Sequence, residues 1–161
     1  MLLLIPGPVR THTEVRAAMA ADIAPWDNDF RAVYASIRER VRAVAGGLEG
    51  EHATLPLQGC GHFILEAALR TFVPAGGKVL VPTNGAYGVR AARLAREAGR
   101  RVVALPGPDT RPVTSAEVAS ALEHDAEIGH VLMVHHETGS GVVNDPAAIG
   151  AAVRAAGRRL I

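Results

Sequence analysis

Hydrophobic and polar positions follow a helical period in the first part of the chain. Apolar residues recur every three or four positions, which predicts one helix that is capped by Thr11 or Thr13 and runs up to Pro25. A longer amphipathic helix is predicted from Asp29 to the glycine pair at residues 46–47. The first third of the chain is therefore expected to be helical.

After residue 53 the pattern changes to short apolar runs that alternate with amphipathic segments. It predicts strands over residues 54–58, 78–82, 101–105 and 130–135, helices over 61–71, 89–98, 115–124 and 146–156, and a further strand that starts at residue 158. Strands separated by helices favour an α/β fold with a mostly parallel sheet and flanking helices. Ligands of such sheets bind at the carboxyl ends of the strands, so the loops after Gln58, Pro82 and His135 are predicted to form one site.

Composition narrows the classes of partner. The 161 residues are 48% hydrophobic and 20% charged, with a net charge of +1, which gives no electrostatic reason to expect nucleic acid or a membrane as partner. The single cysteine fits a reducing compartment, and the apolar residues 1–5 are too short for a signal sequence, so we expect a cytoplasmic protein. The seven histidines show no metal-binding spacing, and no metal is expected.

The glycines around Cys60 carry the first candidate chemistry. Gly59 and Gly61 allow tight backbone geometry, and the helix start that follows, with His62, offers unpaired N–H groups to an anion. This pattern predicts a phosphate cradle, and a tight turn without a ligand is the alternative. Tyr87, just beyond the next strand, is placed to stack on a flat cofactor or to pack in the core.

Cys60 also supports a different hypothesis, that of an acyl hydrolase with a cysteine nucleophile on a strand-to-helix turn. Its base would be His135 or His136 and its orienting acid Glu137 or Asp145. Against this hypothesis, the usual nucleophile turn has a glycine two residues after the nucleophile, and this chain does not.

Five segments, taken together and in order, resemble a known family. They are Pro6-Gly7-Pro8, Trp26-Asp27-Asn28-Asp29, Gln58-Gly59-Cys60-Gly61-His62, Asn84-Gly85-Ala86-Tyr87-Gly88 and His136-Glu137-Thr138-Gly139-Ser140-Gly141. In this order and spacing they resemble the amino-terminal half of class V pyridoxal-phosphate aminotransferases. The resemblance is strongest to the branch that moves an amino group from 2-aminoethylphosphonate to pyruvate, and next to the branch that acts on alanine or serine and glyoxylate.

The resemblance implies part of the large domain of a fold type I enzyme that binds pyridoxal 5′-phosphate. It implies an amino-terminal arm and first helix over residues 1–30 and a partial cofactor-binding domain over residues 31–161. The residues implied to wrap the cofactor phosphate are Gly59, Cys60, Gly61 and His62, those implied at the cofactor ring are Tyr87 and Thr138, and those implied at the substrate entrance are Pro6, Gly7 and Pro8. Cys60 stands where the family usually has serine, and a thiol is a poorer hydrogen-bond donor.

The same resemblance implies what the chain lacks. The lysine that forms the Schiff base and the aspartate that pairs with the pyridine nitrogen are expected beyond Ile161, so no catalytic residue is expected here and this chain alone is expected to be inactive. Lys78, the one lysine, is expected to be a solvated charge at the opposite edge of the sheet.

The partners implied by the resemblance are a small amino donor and a 2-oxo acid acceptor, with a homodimer when the protein is complete. The chain is expected to be cut short, because its last residues predict a strand that is only beginning. A partial sheet exposes an unpaired edge, which predicts self-association. An inactive remnant or a partner-binding module is the remaining alternative.

Overall fold

The computed structural model describes Ile5 and residues 7–161. These residues belong to two compact units that divide between Gln58 and Gly59. The predicted division of the chain at residue 30 stays a prediction. Across the described part of the chain, no helix combines the length and the apolar character needed to cross a membrane.

The first unit contains two helices, α1 (Thr13–Ala18) and α2 (Asn28–Val44). The prediction for α2 is close, and Gly46, at φ +69°, ends it as a glycine commonly does. The prediction for α1 is too long, and its cap is His12, whose Nδ1 accepts the N–H of Glu14. Neither helix has a buried residue, so α1 lacks the packing that extends short helices.

Residues 54–58 were expected to form a strand, and this prediction is wrong. They pair with no strand in the described residues, and Leu55 is 73% exposed. Pro56 has no N–H to donate to a neighbouring strand, and the carbonyl of Thr54 accepts a hydrogen bond from Arg38 Nε at 2.9 Å instead. The candidate phosphate turn therefore follows an extended segment rather than a strand.

The second unit is a parallel sheet between two layers of helices. Its helices are α3 (Gly61–Phe72), α4 (Ala86–Glu97), α5 (Ser115–His124) and α6 (Pro146–Ala155), and its strands are β1 (Lys78–Thr83), β2 (Arg101–Pro106), β3 (Ile128–Val131), β4 (His136–Glu137), β5 (Val142–Val143) and β6 (Arg159–Leu160). Four strands pair in the order β2-β1-β3-β6, all parallel, and β4 and β5 form a separate antiparallel hairpin. The predicted α/β fold with a mostly parallel sheet is confirmed.

The central strand β1 is apolar on both faces because both faces are covered. Val79 and Val81 pack with α3 and α4, whereas Leu80 packs on the other side with α5 and α6. All three side chains are fully buried, and each contributes roughly 1.5–3 kcal/mol through burial. These two cores fix the strand ends from which the candidate loops start.

Strand β3 begins and ends earlier than the apolar run at residues 130–135 predicts. Val134 and His135 leave the sheet because their carbonyl oxygens accept hydrogen bonds from Asn144, one from its side-chain Nδ2 at 2.7 Å and one from its backbone N–H at 2.8 Å. The end of the apolar run therefore becomes part of the loop region at the carboxyl edge of the sheet.

Lys78 lies at the opposite, amino end of β1, as expected, but it is not a solvated charge. Its ammonium group contacts Asp125 at 2.6 Å and Glu127 at 2.8 Å, and its side chain is only 17% exposed. Hydrogen bonds with Asp125 and then Glu127 raise the pKa of Lys78. The same contacts hold the start of β1 to the segment that precedes β3.

Candidate cofactor site

A cavity of about 400 Å³ opens beside the loops that follow β1 and β3. It is lined by Cys60, Gly61, His62, Leu65, Tyr87, Arg90, Leu94, Val134 and His136. The volume is in the range of sites for small ligands. Four of the predicted site residues, which lie at the starts of two separate helices, thus line one cavity.

The other predicted site residues lie elsewhere. Gly59 precedes the lining residues, and Thr138 is exposed in the turn between β4 and β5 without lining the cavity. Gly7 and Pro8 are exposed residues of the first unit, and Pro6 lies outside the described residues.

The amino terminus of α3 is open. Cys60 is its cap residue, yet the cysteine side chain makes no capping hydrogen bond. Among the described residues, the N–H groups of Gly61 and His62 have no hydrogen-bond acceptor. Gly59 has φ +126°, and a Cβ there would overlap the ring of Phe63, so this position requires glycine. The turn therefore presents free backbone donors at the positive end of a helix dipole.

The amino terminus of α4 is closed by a residue far away in sequence. Glu137 accepts hydrogen bonds from the backbone N–H groups of Tyr87, at 3.1 Å, and Gly88, at 2.6 Å. The Tyr87 side chain remains 43% exposed and lines the cavity, with the Arg90 guanidinium carbon 5.1 Å from its ring centroid. From the sequence, Glu137 was a candidate only as the orienting acid of a histidine base and as a member of the segment at residues 136–141, and Arg90 was not predicted at the site.

Two buried asparagines join the loops at this edge. Asn84 Nδ2 and Asn144 Oδ1 are 2.9 Å apart, and Asn144 Oδ1 also accepts the N–H of Val113 at 2.9 Å. Asn84 further donates to the carbonyl of Arg111, and Asn144 donates to that of Val134. The loops after β1, β2 and β3 are therefore held together through one amide pair.

The arrangement does not support a cysteine hydrolase. The carboxylate of Glu137 is occupied by α4, and that of Asp145 accepts two N–H groups at the start of α6. Among the described hydrogen bonds, neither carboxylate contacts His135 or His136, so no acid orients a histidine toward Cys60. The part of the chain that the structure describes also has no group of three metal-ligating side chains.

A second cavity, of about 510 Å³, lies along the edge strand β6. Its lining includes Arg154, Arg158, Arg159 and the buried His130, whose pKa is lowered mainly by burial. None of the predicted site residues lines it.

Comparison with known proteins identifies the family to which this fold and site belong. The model of the family "Aminotransferase class-V" matches residues 10–161, and the chain belongs to this family. The four-stranded parallel sheet with its flanking helices matches the amino-terminal part of fold type I aminotransferases. Among solved structures, a pyridoxamine-pyruvate aminotransferase from Mesorhizobium loti superposes with a TM-score of 0.90 at 26% identity, over 100% of this chain and 41% of that one.

Similar proteins point to one group within the family. A 2-aminoethylphosphonate–pyruvate transaminase of Rhizobium meliloti (strain 1021) is 44% identical over 159 residues, which is 99% of this chain and 42% of the relative. A second such transaminase, from Burkholderia lata, is 46% identical over 160 residues, again 99% of this chain and 42% of the relative. The alanine–glyoxylate aminotransferase of Nostoc sp. is similar in fold, with a TM-score of 0.90 and 28% identity over 99% of this chain and 42% of that one. The chain thus spans about two fifths of the length of these relatives.

Proposed function

We propose that the chain is the amino-terminal part of an aminotransferase that moves the amino group of 2-aminoethylphosphonate to pyruvate, with phosphonoacetaldehyde and alanine as products. In this proposal, residues 59–62 hold the phosphate of pyridoxal 5′-phosphate, Tyr87 contacts its ring, and Gly7 and Pro8 lie at the substrate entrance. Thr138, exposed beside the hairpin, is proposed to approach the phenolic oxygen of the ring. The identity of 44% to a relative of that name supports the choice of substrates.

One observation carries the proposal: the open amino terminus of α3 and the ring of Tyr87 line the same cavity. A phosphate monoester needs backbone donors and positive potential, and a flat heteroaromatic ring needs an aromatic surface at a fixed distance from them. The N–H groups of Gly61 and His62 provide the donors, and Tyr87 provides the surface. When bound, pyridoxal phosphate supplies the electron sink that stabilises negative charge at the carbon next to the migrating nitrogen.

The residues at the cavity are equipped for binding rather than for proton transfer by an amine. No lysine lines the cavity, and Lys78 is engaged with two carboxylates at the other end of β1. We therefore propose that this chain alone binds the cofactor without transferring an amino group.

Assembly into a homodimer belongs to the same proposal, since the apolar side chains along α2 are exposed. Sedimentation velocity would contradict self-association if the chain remained monomeric.

The binding proposal is tested with pyridoxamine 5′-phosphate, which has no aldehyde to react with Lys78. The informative variant is Gly61→Pro, since proline is favoured at the first position of a helix and deletes one N–H donor. We expect this variant to bind both pyridoxamine phosphate and inorganic phosphate about ten times more weakly, because a hydrogen bond to a charged group contributes about 1.5 kcal/mol or more.

Ser115→Pro is the matched control, because Ser115 has the same first position in α5 and does not line the cavity. We expect it to leave the affinity for both ligands unchanged. The proposal is contradicted if the unaltered chain binds neither ligand in equilibrium dialysis, or if the two proline variants weaken binding equally.

A further inference from the structure

We infer that Glu137 is a positioning residue of the candidate site. Its buried carboxylate fixes the first turn of α4 and sets the ring of Tyr87 at the cavity, so that an incoming anion binds at the amino terminus of α3. The identity of the ligand in this inference rests on the proposed function. The geometry rests on hydrogen bonds and packing within the second unit alone.

The hydrogen bonds of Glu137 replace a missing helix cap. The cap position of α4 is Gly85, which has no side chain to accept the first N–H groups of the helix. Glu137 is 1% exposed, and its two carboxylate oxygens accept the N–H groups of Tyr87 and Gly88 separately. A carboxylate at a helix amino terminus is favoured by the helix dipole, and this one is desolvated in place.

Packing shows that the first turn of α4 is built around this carboxylate. A Cβ on Gly85 would overlap the carboxylate of Glu137. A Cβ on Gly88 would lie 2.6 Å from the carbonyl oxygen of Pro82 and 3.5 Å from Glu137 Oε1. The two glycines of the segment Asn84-Gly85-Ala86-Tyr87-Gly88 therefore make room for Glu137 and for the end of β1. This accounts for a motif that the sequence alone linked only to a ligand.

The backbone of Glu137 is fixed as well. Its carbonyl oxygen accepts the N–H groups of Ser140 and Gly141 in the β4–β5 hairpin, and Gly141 closes that turn at φ +76°. The carboxylate thus extends from a closed turn to the helix that carries Tyr87. Since Tyr87 and Gly88 already have an anionic acceptor, an external anion at this cavity finds free donors at Gly61 and His62 instead.

The first test uses the unaltered chain without ligand. Amide hydrogen exchange is measured for Tyr87 and Gly88 and compared with that of Gly61 and His62, which occupy the equivalent first turn of α3. We expect the first pair to exchange about 10- to 100-fold more slowly relative to intrinsic rates, because hydrogen bonds to charged groups contribute about 1.5–3 kcal/mol. Equal protection of the two pairs would overturn the inference, whether or not the chain binds a cofactor.

The second test uses Glu137→Gln, whose amide accepts one N–H and opposes the other with its own NH₂ group. We expect roughly two- to tenfold weaker binding of pyridoxamine phosphate, because an aromatic contact contributes about that much to affinity. Binding of inorganic phosphate should be unchanged. Exchange should accelerate at Tyr87 and Gly88 while the amides of β1 remain protected. A residue with a purely structural role would change the affinity for both ligands and the exchange of β1 together.

Glu66→Gln is the matched control, because Glu66 pairs with Arg70 on the surface of α3 and does not line the cavity. It should change neither affinity nor the exchange at α4. If Glu137→Gln does not fold, the exchange comparison in the unaltered chain and the variant Glu137→Asp, with its shorter carboxylate, decide the inference. In Glu137→Asp the amide of Gly88 must exchange more slowly than an exposed amide. If neither ligand binds the unaltered chain, the proposed function fails while the exchange result still decides the role of Glu137.

Discussion

Two buried helical glycines should respond in opposite directions to the same substitution. Gly88 of α4 and Gly150 of α6 are both buried, and alanine has a helix propensity up to about 1 kcal/mol better than glycine. The surroundings differ. At Gly150 the nearest atoms to an added Cβ are side-chain atoms of Arg154 and Leu160, both at 3.5 Å, which is ordinary van der Waals contact.

At Gly88 the added Cβ would meet main-chain atoms of β1, the carbonyl oxygen of Pro82 at 2.6 Å and the Cα of Thr83 at 3.0 Å. A central strand cannot move aside as a side chain can, and overpacking of this kind costs about 1–3 kcal/mol. After the gain in helix propensity is subtracted, Gly88→Ala should lower the free energy of unfolding of the second unit by up to about 2 kcal/mol. Gly150→Ala should raise it by about 0.5–1 kcal/mol.

The assay has to report on the second unit. Trp26 belongs to the first unit, so its fluorescence is unsuitable, and the free energy is best taken from amide exchange of Val79, Leu80 and Val81 at increasing urea concentrations. With a urea slope of about 2 kcal/mol per M, the middle of the usual range, Gly88→Ala should lower the midpoint by up to about 1 M. A midpoint for Gly88→Ala equal to or above that of Gly150→Ala would refute the steric argument.

Two further predictions concern the loops and the pH dependence of stability. Asn144→Ala leaves the buried N–H of Val113 and the half-buried carbonyl of Val134 without these hydrogen bonds. A loss of about 3 kcal/mol is therefore expected in urea unfolding, and a loss below about 1 kcal/mol would contradict the role of the amide pair. Glu117 pairs with Arg111, and this hydrogen bond, with those from Thr114, lowers its pKa from 4.5 to about 2. A lowered carboxyl pKa stabilises the folded state above the unfolded-state value, so the difference in urea midpoint between wild type and Glu117→Gln should be constant above about pH 5 and vanish near pH 2. A difference that does not change over this range would contradict the assignment.

The strands and helices with fully covered faces were predictable from the sequence. The run at residues 78–82 is apolar after Lys78 and lies between turn signals, and it forms β1 almost as predicted. The helices predicted over residues 115–124 and 146–156 also begin where expected, because the caps Thr114 and Asp145 act over two or three residues and need no distant partner. Predictions that depend only on neighbours along the chain were therefore the dependable ones.

Predictions that depend on distant partners were not dependable. The apolar run at residues 130–135 gives no sign that Asn144 will draw Val134 and His135 out of the sheet. Leu55 and Leu57 alternate as in a strand, but alternation does not supply a neighbouring strand. For the candidate site, the glycines near Cys60 indicated a helix start correctly. Nothing in the spacing of Glu137 predicted a bond to a helix that begins 51 residues earlier.

The amide pair of Asn84 and Asn144 has a consequence for how the site can change. Apart from the bond between the two asparagines, their contacts are to main-chain atoms: the carbonyl oxygens of Arg111 and Val134 and the N–H of Val113. A main-chain partner is present whatever side chain stands at that position. Residues of the loops can therefore be exchanged, in evolution or in a designed library, while the framework that aligns them is inherited intact. Side chains that line the cavity, such as those of Tyr87 and His136, therefore occupy different positions from the two asparagines that align the loops.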